Sequence, residues 1–165
     1  MPQPPQRRYA AELAPPQTNR AVDSKRVEIR FPGTHEGFAL GFERARSALD
    51  AVPLDGTTRY NAELVFEEIV ANIVGHGAPD GHALEVRFTL EAHPDSVILT
   101  FDDNGVRFDP RGRPDPLPQM SLEEARIGGY GLMLVRHAVS SLDYLCTAEG
   151  HNRLTVKLRR SPAAV

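Results

Sequence analysis

The sequence predicts an α+β fold: a two-layer sandwich in which a mixed, mostly antiparallel sheet is covered on one face by helices. Three observations predict it. Strand-like runs come in pairs joined by short turns, helical periodicity separates those pairs, and one helical run is apolar over most of its circumference, as a helix packed on a sheet must be.

The elements follow in order. Residues 1–24 set Pro2, Pro4, Pro5, Pro15 and Pro16 among Gln, Ala and Arg without apolar periodicity, and read as a disordered tail or a partner-binding arm. The domain proper is expected over 25–160, with 161–165 a short C-terminal tail. Val27, Ile29 and Phe31 alternate with Glu28 and Arg30, a strand ended by Pro32-Gly33. Phe38, Leu40, Phe42, Ala45 and Leu49 recur at helical spacing over about 34–50, with Thr34 as N-cap. Pro53 to Gly56 interrupts it. A longer helix is expected from about Thr58 to Gly75, with Gly77 past its end.

Residues 83–90 and 97–101 are two β-like runs around the turn His93-Pro94-Asp95, hence an antiparallel pair. Residues 102–120 are rich in Gly and Pro and read as a loop. A third helix should follow Gly131, through Leu132, Leu134, Val135 and Ala138. A second strand pair, 144–147 and 154–158, brackets Glu149-Gly150.

At 165 residues and 18.2 kDa, the chain has the length of one domain. A net charge of −3 gives no strong electrostatic footprint for nucleic acid. No apolar run approaches the roughly 18 residues of a transmembrane helix, and the N-terminus lacks the apolar core of a signal peptide. A cytoplasmic protein without nucleic-acid or membrane partners is the expectation. Cys146 is the one cysteine; it falls in a strand run and reads as a buried, inert thiol. The six histidines show no zinc-ligand spacing, and neither a nucleophile elbow nor a Walker P-loop is present.

Three features carry chemistry. On the long helix, Glu68, Asn72 and His76 recur every fourth residue and form one polar line flanked by apolar side chains. Burying a carboxylate uncompensated costs several kcal/mol, so water in a cleft, a cation or a polar ligand must meet that line. Glu and Asn oxygens suit a hard cation such as Mg²⁺, and a glutamate beside one can act as general base. A solvated helix edge is the competing reading, and His76 near the helix end is equally a capping residue. Glu63 and Glu67 form a second carboxylate line, read as solvent face.

The second feature is Phe101-Asp102-Asp103-Asn104-Gly105. It reads as a hairpin turn or as a carboxylate at a cleft edge able to accept from an exocyclic amine, and no hairpin partner strand follows it. The third is Gly128-Gly129-Tyr130-Gly131-Leu132, a glycine-rich entry to a helix whose amides can hold phosphate; alone it is a weak signal.

In this order the features resemble the nucleotide site of the GHKL ATPase/kinase superfamily, the Bergerat fold, and within it the anti-sigma factor serine/threonine kinases of bacterial partner switching. The matching stretches are 67–77, 103–110 and 128–132, with Asn152-Arg153-Leu154-Thr155 in the last strand. The resemblance implies an ATP- and Mg²⁺-dependent protein serine/threonine kinase that phosphorylates a STAS-type antagonist, binds a sigma factor or similar regulator, and forms a homodimer. It implies Glu68 as catalytic base, Asn72 as the Mg²⁺ ligand and Asp103 as acceptor for the adenine amino group. Gly105 would leave room for the base, and Gly129 and Gly131 with Leu132 would line the phosphates. His76 is counted with the nucleotide-binding residues, as is Arg126, set near the γ-phosphate. The last strand departs from the family in carrying Asn152-Arg153-Leu154-Thr155 in place of a Gly-Thr pair, so Thr155 is not assigned. Two further departures stand out: Arg107 replaces the second glycine of the family's Asp-x-Gly-x-Gly, and the loop at 109–127 is short and proline-rich. They support the alternative of a catalytically weak or inactive binding module. The catalytic half of a two-component histidine kinase fits poorly, because residues 1–24 hold no histidine.

Overall fold

The computed structural model describes residues 25–112 and 130–160. Strand β1 (Lys25–Pro32) leads into α1 (His35–Asp50) and α2 (Gly56–His76). Strands β2 (Glu85–Ala92) and β3 (Ser96–Asp103) follow, then a single 3₁₀ turn at Pro110–Gly112. Helix α3 (Tyr130–Ala138) and strands β4 (Ser141–Cys146) and β5 (Asn152–Arg159) complete the order.

The strands form one sheet in the order β1-β2-β3-β5-β4, and every pairing among the described residues is antiparallel. The expected sheet was mixed; the described part has no parallel pair. Both expected strand pairs form. Neither turn signal, however, foretells that β5 returns to lie beside β3, with Phe101 opposite Leu154 and Asp103 opposite Asn152.

Helix α1 starts where expected: the Thr34 side chain accepts from Gly37 N at 3.0 Å. Helix α2 starts two residues earlier than expected. Asp55, inside the segment read as a breaker, is its N-cap and accepts from Thr58 N at 2.9 Å. Glu63 is not plain solvent face either; it pairs with Arg59 at 3.0 Å and reaches Arg46 at 3.6 Å. Cys146 ends β4 half-exposed rather than buried; among the described residues β4 is an outermost strand, paired on one side only.

Phe66 on α2 joins the layers. It is fully buried, and its ring lies 5.0 Å from Phe88 (edge-on), 6.0 Å from Phe101, 6.0 Å from Phe31, 5.7 Å from Phe42 and 6.4 Å from Phe38. Five of the other six phenylalanines thus touch one side chain. Val97, Leu99 and Phe101 alternate on the same face of β3 and are fully buried with it, so that face of the sheet carries the helices. Asp103, at the same parity, shares the face.

Phe66→Ala would remove a ring that neighbouring side chains cannot replace by collapse. It should cost about 3–5 kcal/mol in denaturant unfolding, whereas Tyr60→Ala, on the exposed side of the same helix, should cost far less.

Candidate active site

Phe66 anchors α2 to the sheet; Glu68, two residues on, leaves the helix about 200° further round. That direction leads to α3, not to bulk water. A Cβ built on Gly131, in the first turn of α3, would collide with Glu68 Oε2, so the carboxylate lies directly against the glycine backbone. Gly131 and Leu132 are both buried there. The polar line on α2 is therefore not a solvated edge at Glu68. Burial, with the neighbouring Glu67 charge second, raises the Glu68 carboxyl above its ordinary value of 4.5. Glu67 is exposed, leaving Glu68 as the carboxylate that is both half-buried and at i, i+4 spacing to Asn72.

Asn72 is half-buried one turn along and makes no side-chain hydrogen bond among the described residues. His76, in the last turn, is exposed. Just past it, Gly77 touches the loop after β3: Val106 N donates to Gly77 O at 2.7 Å. A Cβ on Gly105 would stand 2.8 Å from Gly77 O and 2.8 Å from Asp103 Oδ1. Glycine at 105 is thus required for the close approach of the two loops. The line on α2 runs from α3 to this loop over about 13 Å of helix axis.

Asp103 is the buried carboxylate at that end. Its Oδ1 accepts from Gly105 N at 2.8 Å and from Asn152 Nδ2 at 2.8 Å. Among the described residues, both bonds end on this one oxygen. Burial raises the Asp103 carboxyl, and the two donors work against that rise. Asp102 points the other way and is bonded to Arg87 Nε at 3.1 Å and Arg153 Nε at 2.5 Å. Of the two adjacent aspartates, only Asp103 faces the helix layer.

The hairpin reading of Asp-Asn-Gly does not hold. A two-residue type I′ turn needs positive φ at its centre, and among the described residues only Gly81 and Gly150 have it. Asn104 instead closes the end of the β2–β3 pair: its Oδ1 accepts from Glu85 N at 2.7 Å, and its Nδ2 donates to Ala83 O at 2.9 Å. Arg107 is exposed.

Asn152 is the residue that sequence reasoning missed as a participant. It is buried at the start of β5. Besides Asp103, its Nδ2 faces Gly105 O at 3.3 Å and Val106 O at 3.0 Å, while its Oδ1 accepts from Tyr144 OH at 2.7 Å and Phe108 N at 3.2 Å. Arg111, paired to Asp109 at 2.8 Å, lies 5.9 Å from the Tyr144 ring centre. The sequence places Asn152 in the last strand of the family resemblance without a role, and its other cue is an Asn in a strand otherwise rich in Leu, Val and Thr.

The structure brings together Glu68 with Gly131, and Asp103 with Gly105. Arg126 and Gly129 lie outside the described residues. No cluster of three or more metal-ligating His, Cys, Asp or Glu side chains occurs among the described residues, and no described helix is long and apolar enough to cross a membrane. A groove of about 460 Å³ between β1 and α1, floored by Val27 and Ile29, is separate from all these residues.

Comparison with known proteins bears on the family and the fold. The chain is 35% identical over 104 residues to the serine/threonine-protein kinase BtrW of Bordetella bronchiseptica, an alignment covering 63% of this chain and 72% of the relative. In fold it is similar to the RsbU and RsbW domains of a Mycobacterium tuberculosis protein, with a TM-score of 0.56 and 18% identity. That alignment covers 86% of this chain but spans only 34% of the other. A chain in the SiaB–SiaC complex of Pseudomonas aeruginosa is similar at a TM-score of 0.50 and 13% identity, over 81% of this chain and 89% of that one. Residues 20–158 match the family described as the histidine kinase-like ATPase domain, and with that span the chain belongs to this ATPase family.

Proposed function

We propose that this protein is an ATP-dependent serine/threonine kinase of the partner-switching type, which phosphorylates a STAS-type antagonist and acts as an anti-sigma factor on a sigma factor or similar regulator, as a homodimer. The observation that carries the catalytic part is the Glu68 carboxylate seated against Gly131. A proton acceptor stands where a helix begins, beside backbone amides and the positive end of a helix dipole, the surroundings that suit a transferring phosphoryl group. The similarity to a serine/threonine kinase supports the choice of acceptor.

The residues fit a nucleotide laid along α2. Asp103 Oδ2 would accept from the adenine amino group, with the Gly105 loop at the edge of the base. Asn72 would hold Mg²⁺ through its side-chain oxygen, the hard-donor chemistry that this ion takes. Mg²⁺ there would neutralise charge on the phosphates. Glu68 takes the proton of the attacking serine or threonine hydroxyl as its oxygen bonds to the γ-phosphorus and the bond to the β-bridging oxygen breaks. A raised carboxyl pKa makes Glu68 a stronger base than an exposed glutamate and brings it closer to working pH. Gly129, Gly131 and Leu132 would line the phosphates, with Arg126 near the γ-phosphate and His76 at the helix end beside the nucleotide. Arg107 is exposed on its loop.

With labelled ATP, Mg²⁺ and candidate STAS-type proteins, phosphate transfer should fall about 10²–10⁴-fold in Glu68→Gln. The exposed control Glu67→Gln should stay close to wild type. Unchanged transfer in Glu68→Gln would sink the assigned base. The acid limb of the rate profile should lie above the ordinary glutamate value of 4.5, because the rate falls as pH drops through the raised carboxyl.

Stability should move the other way. A carboxyl whose folded pKa is raised stabilises the fold when protonated and loses that contribution as pH rises through the folded value. Glu68→Gln should therefore melt above wild type at about pH 8, and the difference should vanish below about pH 4, where both states carry the proton. Asp103→Ala, which removes the acceptor for the base, should weaken ADP binding about 10- to 100-fold in calorimetry, the range expected for a hydrogen bond to a charged group.

A further inference from the structure

We propose that Asn152, itself held by Tyr144, is a positioning residue that sets the nucleobase selectivity of the site by keeping Asp103 a pure acceptor on its free oxygen. The inference rests on the nucleotide reading above and goes beyond it in naming what enforces the choice of base.

The amide orientation of Asn152 follows from its neighbours. Its nitrogen faces three acceptors, namely Asp103 Oδ1, Gly105 O and Val106 O; its oxygen faces two donors, Tyr144 OH and Phe108 N. A flipped amide would set acceptor against acceptor and donor against donor, so one orientation is enforced. Asn152 Nδ2 and Gly105 N together load Asp103 Oδ1 with two donors. Any proton that Asp103 gains would therefore reside on Oδ2. The protonation state of the carboxyl then decides what Oδ2 offers a ligand. Ionised, it accepts, and takes the amino group of adenine. Protonated, it donates, and takes the keto oxygen that guanine or hypoxanthine carries at the same ring position.

Burial pushes this carboxyl toward the protonated form, and the Asn152 donor opposes it. The charged groups to be weighed are few. Asp102 on the same strand raises the carboxyl, His151 beside β5 lowers it, and Asn152 and Gly105 bond to it directly. Tyr144 lies on the far side of the amide, donates to its oxygen, and so holds the nitrogen toward Asp103. Its ring in turn packs beside Arg111 of the 3₁₀ turn.

The test uses the full chain with Mg²⁺ and two probes, ADP and inosine diphosphate, titrated calorimetrically between about pH 5.5 and pH 8.5. Wild type should prefer ADP. Asn152→Ala should lose about tenfold or more in ADP affinity, lose less for inosine diphosphate, and so narrow the preference, most strongly at the acid end. Tyr144→Phe keeps the ring and removes only the hydroxyl. It should move the same ratio in the same direction by a smaller factor, about threefold. Equal losses for both probes, or an unchanged ratio in Asn152→Ala, overturn the proposal, since a merely structural role weakens both nucleotides alike. A ligand-free measurement separates this from the nucleotide reading: in a ¹³C carboxyl titration, Asp103 should titrate higher in Asn152→Ala than in wild type, because a donor to the charged form is gone. If wild type binds neither probe, the nucleotide reading falls. An Asp103 that titrates identically in both proteins overturns the hold of Asn152 on it, whatever the nucleotides do.

Discussion

The packing of Phe66 against five other aromatic rings is the contact on which the rest of the molecule depends. It fixes α2 in rotation as well as in position, because a ring wedged between three strands and α1 leaves the helix no freedom to turn about its axis. Once that face is fixed, the opposite flank is determined. Glu68 must meet α3, and the end of α2 must meet the loop that follows β3. Apolar packing of no chemical specificity thus places a carboxylate against a glycine.

The two ends of the site use the same physical device in opposite ways. At each end, burial raises a carboxyl toward the range where proton transfer matters. At Glu68 little opposes the shift, and the outcome is a stronger base. At Asp103 two hydrogen-bond donors oppose it without cancelling it. One helix and one strand end therefore present two acidic groups in different surroundings, the basis of the different duties proposed for them.

Much of the architecture was legible from local cues: the Thr34 cap, the apolar alternation of β1, and the turns that pair β2 with β3 and β4 with β5. The four-residue spacing of Glu68 and Asn72 was legible too, since helical geometry alone aligns them. What escaped detection depends, the local cap at Asp55 apart, on partners distant in the chain. Asp55 looked like part of a breaker because Pro53 and Gly56 flank it, and only the folded helix shows it capping. Asn152 became visible only once β5 lay beside β3, a pairing with no local signal. The approach of Gly105 to Gly77, from a different loop, likewise has no local signal. Asp-Asn-Gly looked like a turn because the tripeptide favours one, and the strand pair that Asn104 closes overrode that preference.

Because Phe66 and Glu68 share one stretch of α2, the helix acts as a ruler with two fixed marks. Gain or loss of a single residue between them would rotate everything downstream by about 100°, swinging the carboxylate off the glycine while leaving composition and hydropathy nearly untouched. Point changes on the exposed side of α2 are cheap. Changes in length within it are not, so among related chains the interval from position 66 to position 72 should resist insertion and deletion even where its exposed positions, 67 and 71, drift in residue identity.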